Sequence, residues 1–270
     1  MHKKRIEVCD RLTVQRGDSL AERYFYSAMW INFVQKWRLS MQQQITFAAH
    51  KSTAMIQGLP SDKSIIKHVA IAGNIGAGKT TLCEILARHF GWEVHYEDTE
   101  SNPYLSDFYL DMKRWSFNLQ VFFLSSRYQQ VLRILNGNRT VIQDRTIYED
   151  AFIFAPNLAD MGLMERRDFE NYLTLFQSIV SQIKAPDLLI YLKASIPTLV
   201  EHIQMRGRDY EGSISIDYLK RLNERYENWI GNYKEGKLLV INVDQIDFLS
   251  NKVDSGKVLE MVQAELHGLF

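Results

Sequence analysis

The chain has 270 residues, 46% hydrophobic and 24% charged, and its 32 Lys+Arg balance its 32 Asp+Glu to a formal net charge of zero. That is apolar material enough for a large core, without the basic excess of a dedicated nucleic-acid binder, whose affinity comes from neutralising phosphates. Cys9 and Cys83 cannot build a disulfide framework, and no run approaches the ~20 apolar residues of a membrane span. Glu7 and Asp10 follow the basic Met1–Arg5 start, where a signal peptide needs an apolar stretch. The expectation is a cytoplasmic protein with no membrane or nucleic-acid partner.

Residues 1–63 form an expected N-terminal extension, helical or disordered, ahead of a domain over residues 64–270. A candidate helix from Ala21 to about Ala49 puts Tyr24, Ala28, Ile31 and Phe33 roughly on one side, and Gly58–Asp62 reads as a break. A helical appendage, a partner-binding arm and an upstream start, with Met41 and Met55 as internal starts, all fit. The extension is expected to be dispensable to the chemistry.

From there the pattern sharpens. Ile65–Ala72 is a β-branched run suited to a buried parallel strand, Gly73–Lys79 a glycine-rich turn, and Thr80 to about Phe90 a helix stopped by Gly91. Glu93–Tyr96 is a second strand, leading to Glu97. One long helix is predicted from about Leu105 to Leu135, ended by Asn136-Gly137-Asn138, and Thr140–Gln143 is a strand that delivers Asp144-Arg145. A helix over about 165–183, a strand at Leu188–Leu192, helices over about 196–205 and 216–233, a strand at Leu238–Ile241 and a helix over about 255–269 complete the chain. Strands alternating with helices predict an α/β fold on a parallel sheet.

Gly73-Asn74-Ile75-Gly76-Ala77-Gly78-Lys79-Thr80 fits G-x-x-x-x-G-K-[ST] at every fixed position, between a strand and a helix. In such a loop the backbone N–H groups from Gly73 through Thr81 face phosphate oxygens, and the helix dipole adds to the site. Lys79 would neutralise the β- and γ-phosphates, and the Thr80 hydroxyl would hold Mg²⁺. ATP or GTP binding follows. A neutral alcohol acceptor would need a base, and Glu97, at the end of the strand after the loop's helix, stands where open parallel sheets bind ligands. Asp98 is its rival and Glu100 a poorer one; taken alone, each also reads as a solvated loop acid. Asp144 at the next strand end can reach Mg²⁺, and Arg145 can bind phosphate or orient the acceptor, or the two form a strand-end salt bridge. Arg206-Gly207-Arg208, before Gly212, suits a lid closing over a triphosphate, or a solvated turn.

Together these motifs resemble the deoxyribonucleoside kinase family, from about Ile65 to Phe270 and most nearly its bacterial purine members. The resemblance rests on Gly73–Thr80, Glu97, Tyr109, Lys113-Arg114-Trp115-Ser116-Phe117, Gln120, Arg127, Asp144-Arg145-Thr146, Tyr148-Glu149-Asp150 and Arg206-Gly207-Arg208, in order. It implies a P-loop kinase of three α/β/α layers on a five-stranded sheet, using ATP and Mg²⁺ to phosphorylate the 5′-hydroxyl of a deoxyribonucleoside in nucleotide salvage. Deoxyadenosine or deoxyguanosine is favoured over deoxycytidine. It implies Glu97 as base with Arg145 beside it, Asp144 near magnesium, and Tyr109 and Glu211 on the sugar 3′-hydroxyl. Gln120, Arg127 and Asp150 would read the base edge, Trp115 and Phe154 would wall the nucleoside, and Arg206 and Arg208 would serve the lid. The spacing agrees: Gln120 and Arg127, two helical turns apart, share a face, and so do Trp115, Leu119 and Phe123. A homodimer through long helices is also implied, the apolar stretch from Phe117 to Leu135 serving either the interface or the core.

Three positions depart from the family pattern. Asp98 follows Glu97 where relatives often have proline, His202 stands where a further arginine is common, with Lys193 as a substitute cation, and Ala151 follows Asp150 where some relatives have arginine. A thymidylate-kinase-like enzyme is the first rival reading, but its anionic acceptor needs cations and no hydroxyl base. A non-catalytic nucleotide-binding switch is the second.

Overall fold

The computed structural model describes residues 66–99, 101–208, 211–212 and 214–267. The expected extension over residues 1–63 with its helix, the acid Glu100 and the end of the closing helix beyond His267 lie outside the described residues.

Five strands, β1 (His68–Gly73), β2 (Glu93–His95), β3 (Val141–Asp144), β4 (Leu188–Lys193) and β5 (Lys237–Asn242), form one sheet in the order β2-β3-β1-β4-β5. Every pairing is parallel, as expected. β1 is buried throughout and β4 for all but Lys193, because a parallel sheet covered by helices on both faces has no solvent side to serve. Val69, Ile71, Ile142, Ile190 and Ile241 form one buried cluster with Leu82 and Leu86 of α1 (Lys79–Phe90) and Val258 and Val262 of α9 (Lys252–His267). Further buried side chains come from α3 (Met112–Asn136), α6 (Arg166–Val180) and α8 (Ile216–Gly231), among them Leu124, Tyr172, Phe176 and Tyr226. The remaining connection, α7 (Ile196–Arg206), follows β4 and ends at Gly207 with φ 64°.

Two elements differ from the sequence reading. The single helix predicted over 105–135 is α2 (Leu105–Leu110) and α3, broken at Asp111, whose φ of −143° is not helical. Its carboxylate accepts the Arg114 backbone N–H, so an aspartate that would be neutral inside a helix instead starts a new one. After β3, where no element is predicted, the chain is helical from Ile147 to Asp160 as α4 (Ile147–Glu149), a π-helical turn (Asp150–Phe154) and α5 (Ala155–Asp160). Thr146 and Glu149 form a reciprocal capping box that begins it, and such a π turn inside a helix commonly marks a functional site.

The loop between β1 and α1 is held by its glycines. Gly76 has φ 84°, and a Cβ there would stand 2.7 Å from the Leu199 carbonyl oxygen of α7. Gly76→Ala is therefore expected to cost about 1–3 kcal/mol of stability from the backbone conformation alone, measured as the shift of the urea midpoint, with weaker ATP binding alongside.

Candidate active site

A cleft of about 1250 Å³ opens at the carboxyl ends of β1, β2 and β3, beside the point where the sheet order reverses around β1. It exceeds the roughly 300–1,000 Å³ of a single small-molecule site and sits where open α/β sheets bind ligands.

On one side Ile75, Gly76, Gly78, Lys79, Thr80 and Thr81 line it. Gly73, Asn74 and Ala77 of the same loop, expected from the sequence to face the phosphates, are not on the cleft wall: the Gly73 N–H donates to Glu149 Oε1 at 3.3 Å, Asn74 Nδ2 donates to the Leu219 carbonyl and to Asn223 Oδ1, both at 3.0 Å, and Ala77 is fully buried. Lys79 Nζ donates to the Asn74 carbonyl at 2.9 Å, and burial, assisted by the Arg145 charge, lowers its pKa to about 8. Thr80 Oγ1 donates to Asp144 Oδ2 at 2.5 Å. Asp144 Oδ1 is buried with no hydrogen-bond partner among the described residues, and burial raises the carboxyl's pKa. A hydroxyl and a carboxylate with a spare oxygen are hard oxygen donors of the kind that would suit Mg²⁺. His202 Nδ1–H donates to the Gly76 carbonyl at 2.8 Å, tying α7 to the loop. Lys193 is not the substitute cation expected from the sequence: its Nζ is held 2.6 Å from Glu227 Oε2, and it is not on the cleft wall.

Across the cleft, Glu97 Oε1 accepts from Arg127 Nη2 at 2.8 Å and lies 3.0 Å from Arg145 Nε. Burial alone would raise its pKa, but Arg145, Arg127 and Lys79 outweigh it and hold the carboxylate at about 2. Asp98 instead accepts from Ser101 Oγ within its own loop. Arg145 has φ 71°, the one positive value at a non-glycine among the described residues, and its guanidinium stacks 4.6 Å from the Phe154 ring centroid. Burial opposes its charge, but Glu97 and Glu149 keep its pKa well above the usual value.

Arg127 is buried under the wall, with Nε 3.1 Å from Asp150 Oδ2. Because Arg127 is shared with Glu97, burial wins at Asp150 and lifts its pKa to about 7. Gln120 and Asp150 line the cleft, and Gln120 Oε1 is buried with no hydrogen-bond partner among the described residues. Tyr109, Phe154 and Glu211 also line it. Glu211 is held by Arg206 and Arg208, with Arg206 Nη2 at 2.5 Å and Nε at 3.1 Å, and Arg208 Nη1 at 3.7 Å. Trp115 departs from its expected place. It sits in the first turn of α3, 5.8 Å from the Tyr104 ring and under Arg114, so the apolar wall falls to Leu119 and Phe123 one and two turns on.

Sequence reasoning missed several contributors. Val243, Ile246 and Phe248 beyond β5 also line the cleft, and nothing in their spacing distinguishes them from loop residues. Gln130 Nε2 donates to the Tyr96 carbonyl at 2.8 Å and so braces the peptide before Glu97, a role its position three residues beyond Arg127 could have suggested. Glu149, which the sequence presents only as part of the Tyr148-Glu149-Asp150 motif, is fully buried behind Arg145.

The sequence profile of the deoxynucleoside kinase family matches residues 69–267. The chain is 35% identical over 201 residues to the deoxyadenosine/deoxycytidine kinase of Bacillus subtilis (strain 168), covering 74% of this chain and 93% of that one. It is 37% identical over 212 residues to a deoxyadenosine kinase of Lactobacillus acidophilus, covering 75% and 97%. Among solved structures, deoxyadenosine kinase from M. mycoides with products dCMP and a flexible dCDP bound superposes with a TM-score of 0.64 at 28% identity, over 73% of this chain and 98% of that one. The expected three-layer sheet and the kinase reading hold, the monophosphate-kinase and switch readings give way, and the chain belongs to the deoxynucleoside kinase family, enzymes that phosphorylate deoxynucleosides for nucleotide salvage.

Proposed function

We propose that the chain transfers the γ-phosphate of ATP to the 5′-hydroxyl of deoxyadenosine, accepting deoxyguanosine and deoxycytidine less readily. The observation that carries this reading is the pairing, in one cleft, of the Lys79 loop with a Glu97 carboxylate held between two arginines. Glu97 accepts the hydroxyl proton, Arg145 orients the same oxygen, and Lys79, Arg206 and Arg208 neutralise charge on the transferring phosphate. Thr80 and Asp144 would hold Mg²⁺, which when bound offsets phosphate charge. Tyr109 and Glu211 hold the sugar, Phe154 packs beside the nucleoside, and Gln120 and Asp150 read the base, with Arg127, expected from the sequence to read it directly, instead fixing Asp150 from beneath the wall.

The open Gln120 oxygen and an ionised Asp150 are both acceptors, which suits a base bearing an exocyclic amine (adenine, guanine or cytosine) rather than thymine; the names of two of the relatives support adenine among these. Phosphoryl transfer from Mg-ATP to each of the four deoxyribonucleosides tests this reading: deoxyadenosine is expected to show the highest kcat/KM, and a preference for thymidine would contradict it. Asp150 faces Arg127, Arg145, Glu97 and Glu149. Above about pH 7 its carboxylate accepts from an amine, and below it the neutral acid cannot do so on that oxygen. The kcat/KM for deoxyadenosine is thus expected to rise with pH through about 7 and level off, with no matching rise in an Asp150→Asn variant.

Half-buried Val121, Tyr128 and Leu132 and exposed Leu135 make a stripe along α3 that supports a homodimer, read out by sedimentation velocity. Balanced charge supports a small-molecule acceptor rather than nucleic acid, and no described helix is long and apolar enough to cross a membrane. An ATP-consuming salvage reaction supports a cytoplasmic place.

A further inference from the structure

We propose that Glu149 is a positioning residue for the transfer step, fixing the Arg145 guanidinium from behind and tying it to the first residue of the phosphate loop. The inference rests on the roles proposed above for Glu97 and Arg145. The two oxygens of Glu149 do different work. Oε2 is occupied by helix capping, accepting from the Thr146 backbone N–H at 2.6 Å and from its hydroxyl at 3.2 Å. Oε1 takes no part in the cap. It accepts from Tyr226 O–H at 2.7 Å and from the Gly73 backbone N–H at 3.3 Å, and it lies 3.4 Å from Arg145 Nη1. Tyr226 closes the arrangement, because Arg145 Nη1 is also 2.9 Å from its hydroxyl oxygen. A cap alone would need one oxygen and would leave the other to water, yet Glu149 is fully buried.

The geometry around Arg145 makes such a clamp consequential. Its backbone is anchored by donation of its N–H to the Ile71 carbonyl at 2.9 Å, in a left-handed conformation that a long side chain adopts only when its surroundings enforce it. One edge of the guanidinium faces Glu97 through Nε, and the other faces Glu149 and Tyr226 through Nη1. Phe154 covers its flat side. With the far edge fixed, the near edge has one orientation toward Glu97 and the acceptor oxygen. The same Glu149 oxygen reaches Gly73, so the donor loop and the acceptor-side arginine share one anchor, and in-line transfer depends on their relative placement.

The test uses the full chain carrying Glu149→Gln, Tyr226→Phe and Arg145→Ala, singly and with each of the first two combined with the third. Readouts are kcat, both KM values and the urea midpoint. Glutamine still offers an oxygen to the Thr146 cap but cannot supply a carboxylate to Arg145, Tyr226 and Gly73. We expect Glu149→Gln to lower kcat about 10- to 100-fold, the scale of an ångström-level misplacement, with both KM values within about threefold. In the Arg145→Ala background the same change should cost less than about twofold in kcat, because residues acting as one unit are not additive. Tyr226→Phe should show the same pattern at about 3- to 10-fold, and it decides the matter if Glu149→Gln does not fold. A kcat within twofold of wild type for the folded variants would overturn the proposal. So would a full kcat loss repeated without Arg145, the signature of a cap that serves only the helix. If the wild-type chain itself transfers no phosphate, the proposed function fails instead, visibly and before any variant is compared.

Discussion

Glu97→Gln is expected to lower kcat about 10²–10⁴-fold, or about 2.7–5.5 kcal/mol of activation free energy, while ATP affinity stays within about threefold. The glutamine keeps the shape and can still accept from Arg127 and Arg145, but it cannot take the proton of the attacking hydroxyl. In the proposed role, a pKa held at about 2 by two arginines would make Glu97 a modest base, and the arginines would contribute aim and a permanently ionised carboxylate more than basicity. It follows that Glu97 imposes no acidic limb on kcat above about pH 4; an acidic limb near pH 7 in kcat/KM belongs to Asp150. Isothermal titration with ATP and steady-state kinetics of the variant check both parts. A variant that retains more than a tenth of wild-type kcat would move the base to Asp98 or to no protein group at all.

Lys79→Met should lower kcat about 10²–10³-fold, the scale of removing one preorganised charge stabiliser, without loss of folding stability. Lys79 Nζ has one protein hydrogen bond, to the Asn74 carbonyl, and it is buried enough that its pKa falls to about 8. Replacing a buried ammonium by an apolar side chain of similar length removes a desolvation cost, so the urea midpoint should be unchanged or higher. The same depressed pKa gives a second observable. Above about pH 8 the free enzyme must take up a proton on this amine before it can neutralise phosphate, so the KM for ATP should climb with pH in wild type. In Lys79→Met that climb should vanish. Equal activity of variant and wild type would mean that the phosphate load falls on Arg206 and Arg208 instead.

Much of this arrangement can be read from the chain because the physics is local. Ile65–Ala72 and Leu188–Leu192 read as buried parallel strands since both faces of such a strand are covered, and the structure places β1 and β4 there. The loop from Gly73 to Thr80 is legible because its glycines answer to backbone geometry, seen in the positive φ of Gly76 and Gly78. Asp111 escaped notice because a capping aspartate and a helical surface aspartate look alike until the backbone turns. Tertiary placement was illegible for a different reason. Trp115 shares its helical face with Leu119 and Phe123, yet the cleft starts one turn after it, a boundary set by α2 and Tyr104 rather than by periodicity. Likewise Tyr226, 81 residues from Arg145 in sequence, joins it only through the packing of α8 against the π-helical turn. Glu149 could have been found as the fourth member of a T-x-x-E capping box, but the pattern shows one of its oxygens employed and says nothing of the other.

The most direct test of the central claim is to follow the label from γ-labelled Mg-ATP into deoxyadenosine, 2′,5′-dideoxyadenosine and thymidylate under single-turnover conditions. The account predicts rapid labelling of deoxyadenosine at its 5′ oxygen, with 2′,5′-dideoxyadenosine acting as an unlabelled competitor and thymidylate remaining unlabelled. Label on 2′,5′-dideoxyadenosine, or on thymidylate alone, would contradict it, because neither offers a 5′-hydroxyl for Glu97 to deprotonate.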